Sequence, residues 1–177
     1  MTRGRAAFWI VFAATLAVYA VMVFWTLPVI AAAAGGLAPF DMRPSGYSEP
    51  QARAFLASLS PDGRSIYLTL QHKLDLAYPA LLAATLIMSL VWLFPQLSRI
   101  ARVALCALPV AGAIFDYIEN AKVAAMLRAS PGDVTAQQIE LASRATILKS
   151  GYTTLAMGLV LIGLVPWVLR QKRLRDG

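Results

Sequence analysis

Four long apolar stretches constrain the fold of this 177-residue chain more than any other feature. They cover residues 6–34, 74–94, 103–127 and 145–169. Each approaches or exceeds the roughly 20 residues that an α-helix needs to cross the hydrocarbon core of a bilayer. Hydrophobic residues make up 59% of the chain and charged residues 14%, whereas soluble domains are about half apolar and a quarter charged. The sequence therefore predicts an all-α membrane protein, a four-transmembrane-helix bundle that forms one domain over residues 1–177.

Turn and capping signals give the expected ends of the four helices, at about residues 6–34, 64–94, 101–128 and 136–170. The sequence SPDG at residues 60–63 predicts a turn before the second helix. Pro131 and Gly132 are expected to end the third helix, and Thr135 and Gln138 to cap the fourth. Residues 35–63 are therefore predicted to form one long loop on the outer side.

The positive charges indicate the orientation of the bundle. Lys and Arg, with almost no acidic residues, are found at the N-terminus, in residues 95–102 and in the C-terminal tail. By the positive-inside rule these segments are cytoplasmic, so both termini are predicted to lie in the cytoplasm. Since the charges cluster at the ends of apolar stretches, the net charge of +7 does not indicate binding to nucleic acid. A cleaved secretory signal is an alternative for the first stretch, but signal cores run about 7–15 residues and this stretch is longer.

The long outer loop contains a pattern that is typical of a short amphipathic helix. Ser48 and Gln51 have the spacing of a capping box. Apolar residues follow at helical spacing, namely Ala52, Phe55, Leu56 and Leu59. We expect this helix to lie on the membrane surface or over the mouth of the bundle.

Polar residues enter the predicted membrane segments near one level, toward the outer side. The candidates for a polar cluster or binding site are Asp75, Asp116, Glu119, Asn120, Lys149, Arg144 and His72. Asp116, Glu119 and Asn120 have the i, i+3, i+4 spacing that places three side chains on one helical face. A charge in hydrocarbon costs about 2.5–3.5 kcal/mol on insertion scales, so these groups are expected to face inward and pair.

Two prolines within the predicted helices free main-chain carbonyls. Pro79 cannot donate a hydrogen bond to the carbonyl of Asp75, and Pro109 cannot donate to that of Leu105. Such carbonyls need another donor inside a membrane. For the carbonyl of Asp75 we expect Lys149 or a water molecule.

Three functions agree with this pattern. The first is a scaffold or partner-binding bundle, in which Asp75, Asp116 and Glu119 pair with the bases Lys73, Lys122, Arg144 and Lys149. The sequence favours this function, because acids and bases in near balance need no ligand. The second is a pocket that binds or transports a lipid or small molecule and opens to the outer side, the side of the long loop. The third is a membrane-embedded enzyme acting on a lipid, with the same acids as acid–base groups or, together with His72, as ligands of a divalent metal.

No catalytic motif distinguishes these functions. One histidine makes a poor zinc site, and the lone Cys106 offers no thiol pair, so we predict no metal site and no cofactor. The expected partners are membrane lipid and either a protein partner or a second copy of the chain.

Several short motifs resemble those of a family of small bacterial four-helix inner-membrane proteins. The residues that carry the resemblance are DMRP at 41–44 with Gly46 and Tyr47, Gly63 and Arg64 with Tyr67, Asp75 with Pro79, and DYIEN at 116–120. The resemblance implies a bacterial inner membrane and therefore a periplasmic outer loop. It implies no activity, substrate or cofactor.

Overall fold

The structure, a computed structural model, describes residues 3–176 and the side chains of residues 3–169. It has five α-helices: α1 (Arg3–Ala33), α2 (Glu49–Ser58), α3 (Pro61–Leu93), α4 (Arg99–Arg128) and α5 (Ala136–Asp176). Residues 3–176 contain no β-strand. Helices α1, α3 and α4 and the Ala136–Leu169 part of α5 are long and apolar enough to cross a membrane. The prediction of an all-α chain with four such helices is confirmed.

The four long helices run up and down, and three of them form the centre of the bundle. Helices α3, α4 and α5 pack against one another as a triangle, while α1 packs mainly against α3. The hydroxyls of Thr15 and Thr85 share a hydrogen bond of 2.9 Å between α1 and α3. The rings of Phe115 and Tyr152 stack between α4 and α5, with centroids 5.7 Å apart. Helix α1 therefore lies at the side of a three-helix centre.

Side-chain caps set the starts of the helices. Ser60 accepts a hydrogen bond from the amide of Gly63 at 3.2 Å, and α3 begins at Pro61. A proline at the first helical position is favourable, because its missing N–H would have had no partner there. Thr135 and Gln138 form the predicted cap of α5: the amide of Thr135 donates to the Gln138 side chain at 2.9 Å. The amide of Gln138 donates back to the hydroxyl of Thr135 at 3.2 Å.

Residues 34–60, which we call the cap, cover the end of the bundle where α1 ends and α3 begins. The chain leaves α1 through Gly35 and Gly36, whose positive φ angles of 66° and 86° suit glycine. A short 3₁₀ turn at Phe40–Met42 follows, and then helix α2. The capping box of Ser48 and Gln51 is present, with the Ser48 amide 2.9 Å from the Gln51 side-chain oxygen.

The most continuous apolar core lies beneath this cap. It joins buried residues of the cap to the adjoining ends of the long helices, among them Ile30, Phe40, Tyr47, Phe55, Leu56, Tyr67, Met126, Leu127, Val134 and Ile139. The apolar face of α2, predicted from its spacing, points into this core, since Ala52, Phe55 and Leu56 are buried. A bilayer does not favour apolar contacts between helices, whereas water does. A continuous apolar core of this kind is what a segment that folds in water would require.

Arg64 fastens the cap to two long helices. Its guanidinium donates to the main-chain carbonyls of Leu127 and Ala129 at the end of α4, and to that of Leu56 in α2. The last carbonyls of a helix have no partner within the helix. One side chain of α3 thus satisfies the end of α4 and holds α2 in place.

Two π-helical turns face each other below the cap, and no pattern in the sequence predicts them. They are Met22–Thr26 in α1 and Tyr67–Gln71 in α3. The hydroxyl of Thr26 donates a hydrogen bond to the side-chain oxygen of Gln71, and both residues are buried. Such turns occur within α-helices mostly as single turns and frequently at functional sites.

Candidate functional site

A cavity of about 310 Å³ lies between α1 and the triangle of α3, α4 and α5, next to the cap. The four long helices and the cap all contribute to its walls. The lining residues are Tyr19, Met22, Val23 and Leu27 of α1, Asp41 and Met42 of the cap, Asp75, Tyr78 and Pro79 of α3, Asp116 of α4, and Lys149 of α5. Tyr19 is 47% exposed and Met42 53%, so the cavity reaches the surface of the molecule.

Lys149 joins two acids of α4 to α5. Its ammonium lies 3.3 Å from a carboxylate oxygen of Asp116 and also pairs with the carboxylate of Glu119. The Glu119 side chain is only 1% exposed and accepts a second hydrogen bond from the hydroxyl of Thr146. The spacing of Asp116 and Glu119 placed them on one helical face, and in the structure they share one cation.

Asp75 has no such cation, although it is buried. A carboxylate oxygen of Asp75 accepts a hydrogen bond of 2.8 Å from the amide of Gln71. Within residues 3–169, no Lys, Arg or His side chain lies within ion-pair distance of Asp75. Because Gln71 in turn accepts from Thr26, a chain of polar side chains runs from α1 through α3 to the cavity. Asp75 is thus held in position by a neutral partner only.

Asp41 adds a fourth acid, which the sequence analysis did not include among the candidate site residues. It belongs to the 3₁₀ turn of the cap and lines the cavity. The phenol of Tyr67 donates a hydrogen bond to its carboxylate. A loop acid has no helical spacing that would place it near the others. Its place in the DMRP motif was the only sequence signal.

The main-chain carbonyl that Pro79 leaves free has a protein donor. The side-chain amide of Asn120 donates to the Asp75 carbonyl at 2.9 Å. Our expectation that Lys149 or a water molecule would fill this role was wrong, because Lys149 is held by two carboxylates of α4. The hydroxyl of Tyr117 donates to the next carbonyl, that of Leu76, also at 2.9 Å. The kink-prone part of α3 is therefore tied to α4.

Other predicted members of the cluster lie outside the cavity. Arg144 is 69% exposed and pairs with Glu140 on the same helix at 2.6 Å. Lys73 is exposed, and Lys122 is half-buried without an ion-pair partner in the described part of the chain. His72 is half-buried and lines a void of about 10 Å³ next to the cavity.

The expected balance of acids and bases is therefore not what the cavity contains. Four carboxyl groups, those of Asp41, Asp75, Asp116 and Glu119, lie in or next to it. Of the described bases, Lys149 lies with them and His72 lines the adjoining void. With the four carboxyl groups and Lys149 ionised and His72 neutral, the formal charge would be −3. Burial makes an uncompensated charge costly, so these acids require either protons or an additional cation.

Tyr47 of the cap lies above the same acids. Its amide donates to the hydroxyl of Ser143 at 2.9 Å, and its side chain is buried. Burial raises the pKa of the Tyr47 phenol above its ordinary value, and the nearby Glu119 carboxylate raises this pKa further. The phenol therefore stays neutral and adds no charge to the cluster.

The described residues contain neither a metal-holding group nor a free nucleophile in the cluster. No group of three or more His, Cys, Asp or Glu side chains in the described residues is close enough to hold a metal ion. Lys149, the base of the cluster, is engaged by two carboxylates and is not free to act as a nucleophile. The cavity thus offers carboxyl groups on one side and the apolar residues of α1 on the other.

Comparison of this chain with family models, with curated proteins and with solved structures finds no match. The resemblance to small bacterial inner-membrane proteins therefore stays a prediction.

Proposed function

We propose that this chain is a multi-pass inner-membrane protein that binds a small amphiphilic molecule, such as a lipid headgroup with part of its chain, in the cavity beside α1. The observation that carries the proposal is the cavity itself. Its volume of about 310 Å³ lies at the lower end of the range for small-molecule sites, about 300–1,000 Å³. A bundle held only by ion pairs would need no such space.

The two kinds of wall support an amphiphilic ligand. Met22, Val23 and Leu27 of α1 offer an apolar surface, while Asp75 and Asp116 face it from the other helices. Because α1 packs mainly against α3, the cavity lies at the edge of the bundle and not at a closed centre. A ligand that enters from the lipid can place its polar end among the carboxyl groups and leave its apolar end toward the membrane.

The proposed orientation follows from the loop charges. With both termini in the cytoplasm of a bacterium, the cap lies on the periplasmic side, and the cavity opens near the periplasmic face of the membrane. A reporter enzyme that is active only in the cytoplasm, fused to the C-terminus, is expected to be active. An inactive reporter, together with a periplasmic reporter that is active at the same place, would reverse this topology.

A scaffold remains the second candidate, and the Asp116–Lys149–Glu119 network favours it. That network ties α4 to α5 whether or not a ligand binds. It leaves the cavity and the unpaired carboxyl of Asp75 without a role. For this reason we place the scaffold function second.

The experiment compares the intact protein with one whose cavity is filled. Val23→Phe adds a ring at a lining position, and Val29→Phe adds the same ring at an exposed position of α1. After purification in mild detergent, native mass spectrometry of the original chain and of Val29→Phe is expected to show a bound small molecule or lipid. Val23→Phe is expected to lose it.

Retention of the same bound mass by Val23→Phe would place the ligand elsewhere. Absence of any bound mass in all three proteins, together with no stabilisation by a total lipid extract, would favour the scaffold.

A further inference from the structure

We infer that the ligand is an organic cation, an alkylammonium, whose charged nitrogen binds at Asp75. This inference rests on the proposed function and names the chemical class of the ligand. The argument combines the charge of the cavity, its aromatic residues and its apolar wall.

The first step is that Asp75 lacks a cationic partner. It is 6% exposed, lines the cavity and takes one hydrogen bond from Gln71 through Oδ1. Its other oxygen, Oδ2, receives no hydrogen bond from a described side chain, and it is not among the fully enclosed polar atoms without a partner. This oxygen therefore has room for a donor beside it, in the cavity or in the small void that Asp75 also lines. An ammonium N–H donating to Oδ2 would supply both the missing donor and the missing charge.

The second step is that the rest of the cavity repels anions and attracts cations. Asp41 and Asp116 also line the cavity, and the single ammonium of Lys149 already serves Asp116 and Glu119. A carboxylate or phosphate ligand would place a further negative charge beside these carboxyl groups, whether or not some of them carry protons. A cation offsets the charge of those that are ionised.

The third step concerns two aromatic rings. Tyr19 of α1 and Tyr78 of α3 both line the cavity, and their rings stack with centroids 5.9 Å apart. The face of a tyrosine ring attracts an ammonium group within about 6 Å. Because Tyr19 is about half exposed, this pair lies where a cation would enter.

The fourth step distinguishes an organic cation from a metal ion. The described acids do not form a group of three that could hold a metal. An inorganic ion would also leave the apolar surface of Met22, Val23 and Leu27 unused. An ammonium attached to a short alkyl chain fits the carboxyl and the apolar surface at the same time.

The test uses three six-carbon probes that differ only in the polar end: hexylammonium, hexanol and hexanoate. Binding to the full-length protein in detergent is measured by isothermal titration calorimetry near pH 7, where an alkylamine is protonated. Val23→Phe provides the baseline for partition of each probe into the micelle. We expect hexylammonium to bind about 10- to 100-fold more tightly than hexanol, the range for a charge-assisted hydrogen bond, and hexanoate to bind more weakly than either.

Two variants locate the charge. Asp75→Asn keeps the size of the side chain and is expected to lose the preference for hexylammonium over hexanol. Asp62→Asn removes an exposed acid from the first turn of α3 and is expected to keep that preference. Thermal unfolding shows that both variants are folded before they are titrated.

The outcomes separate this inference from the proposed function. Equal binding of hexylammonium and hexanol, or tighter binding of hexanoate, would show that the ligand is not a cation. The proposal that the cavity binds a small molecule would still stand. An unchanged preference in folded Asp75→Asn would overturn the role of Asp75. If no probe binds while a lipid still co-purifies with the protein, the ligand class is wrong and the pocket remains. If no probe binds and no mass co-purifies, both proposals fail.

Discussion

Replacing Lys149 by methionine tests whether the buried ion pairs hold the bundle together. Methionine is unbranched like lysine and one atom shorter, and it removes the charge. Asp116 and Glu119 would both lose their cation, and the Glu119 side chain is 1% exposed. The structure offers no other base within ion-pair distance of either carboxylate in residues 3–169.

The size of the effect follows from burial. Breaking a buried ion pair by removing one partner costs about 3–5 kcal/mol, because the other charge is left without compensation. For a chain of this size each kcal/mol shifts the melting temperature by about 2–4 °C, so Lys149→Met is expected to melt roughly 6–20 °C lower. Uptake of a proton by Glu119 would keep the loss toward the lower end of this range.

Thermal unfolding in mild detergent, followed by tryptophan fluorescence, measures this shift. Arg144→Met is the matched control, because it removes the exposed ion pair between Arg144 and Glu140. Their side chains are 69% and 58% exposed, respectively. Exposed pairs contribute at most about 1 kcal/mol. A further variant that combines Lys149→Met with Asp116→Asn and Glu119→Gln removes the charges together and is expected to regain most of the lost stability, because a neutral cluster has no uncompensated charge.

Two results would contradict this reasoning. A melting temperature for Lys149→Met within about 2 °C of the original, comparable to less than 1 kcal/mol, would mean that the ion pairs contribute little. An equal loss in the triple variant would mean that Lys149 acts through its packing and not through its charge.

Three further predictions concern the contacts around the cavity and the cap. Asn120→Ala leaves a buried carbonyl of α3 without its donor and is expected to cost about 1–3 kcal/mol of unfolding free energy; no change in melting temperature would refute the role of this bond. Gly63→Ala places a methyl group against Ala33 and is expected to cost about 1–3 kcal/mol of unfolding free energy. Gly132→Ala meets no neighbour and is expected to be neutral. Equal melting temperatures of the two variants would show that α1 and α3 move apart at no cost in stability. Since the folded state raises the pKa of Tyr47, its phenol contributes stability below the unfolded pKa of about 10 that is lost as the pH rises further. Tyr47→Phe is therefore expected to lose less thermal stability than the original chain between about pH 9 and 11, and an identical loss would contradict the raised pKa.

The sequence predicted the long helices and their caps because these depend on local patterns. Apolar length identifies a spanning helix without knowledge of its neighbours. The Ser48–Gln51 and Thr135–Gln138 pairs act within one helical turn, so their spacing was sufficient to identify them. The inward face of α2 followed from helical spacing in the same way.

The candidate site was predicted in part, because the spacing of residues within one helix predicts only which side chains share a face of that helix. The spacing of Asp116 and Glu119 placed them correctly on one face. Arg144 and Lys149 were both expected in the cluster, yet five residues on a helix turn the second side chain by about 140° from the first. Their separation in the structure follows from this angle.

What could not be predicted depends on contacts between distant segments. Asp41 reaches the cavity because Tyr67 holds it there, and no spacing links residue 41 to residue 67. The two π-helical turns meet through Thr26 and Gln71, which are 45 residues apart. Helix α1 lies at the side of the bundle because it packs mainly against α3 and not against α4 and α5. No pattern in the sequence of α1 predicts which helices it contacts.

The cap has a consequence for the order in which the chain is made and assembled. Its core combines Ile30, Phe40 and Phe55 with Leu127 and Ile139, so the last helix has to be synthesised before the first loop can be covered. Until then two phenylalanine rings that are fully enclosed in the finished protein lack the cover that the last helix supplies. A chain that stops after residue 128 would present them permanently, and quality-control proteases that recognise exposed aromatic segments would be expected to degrade it.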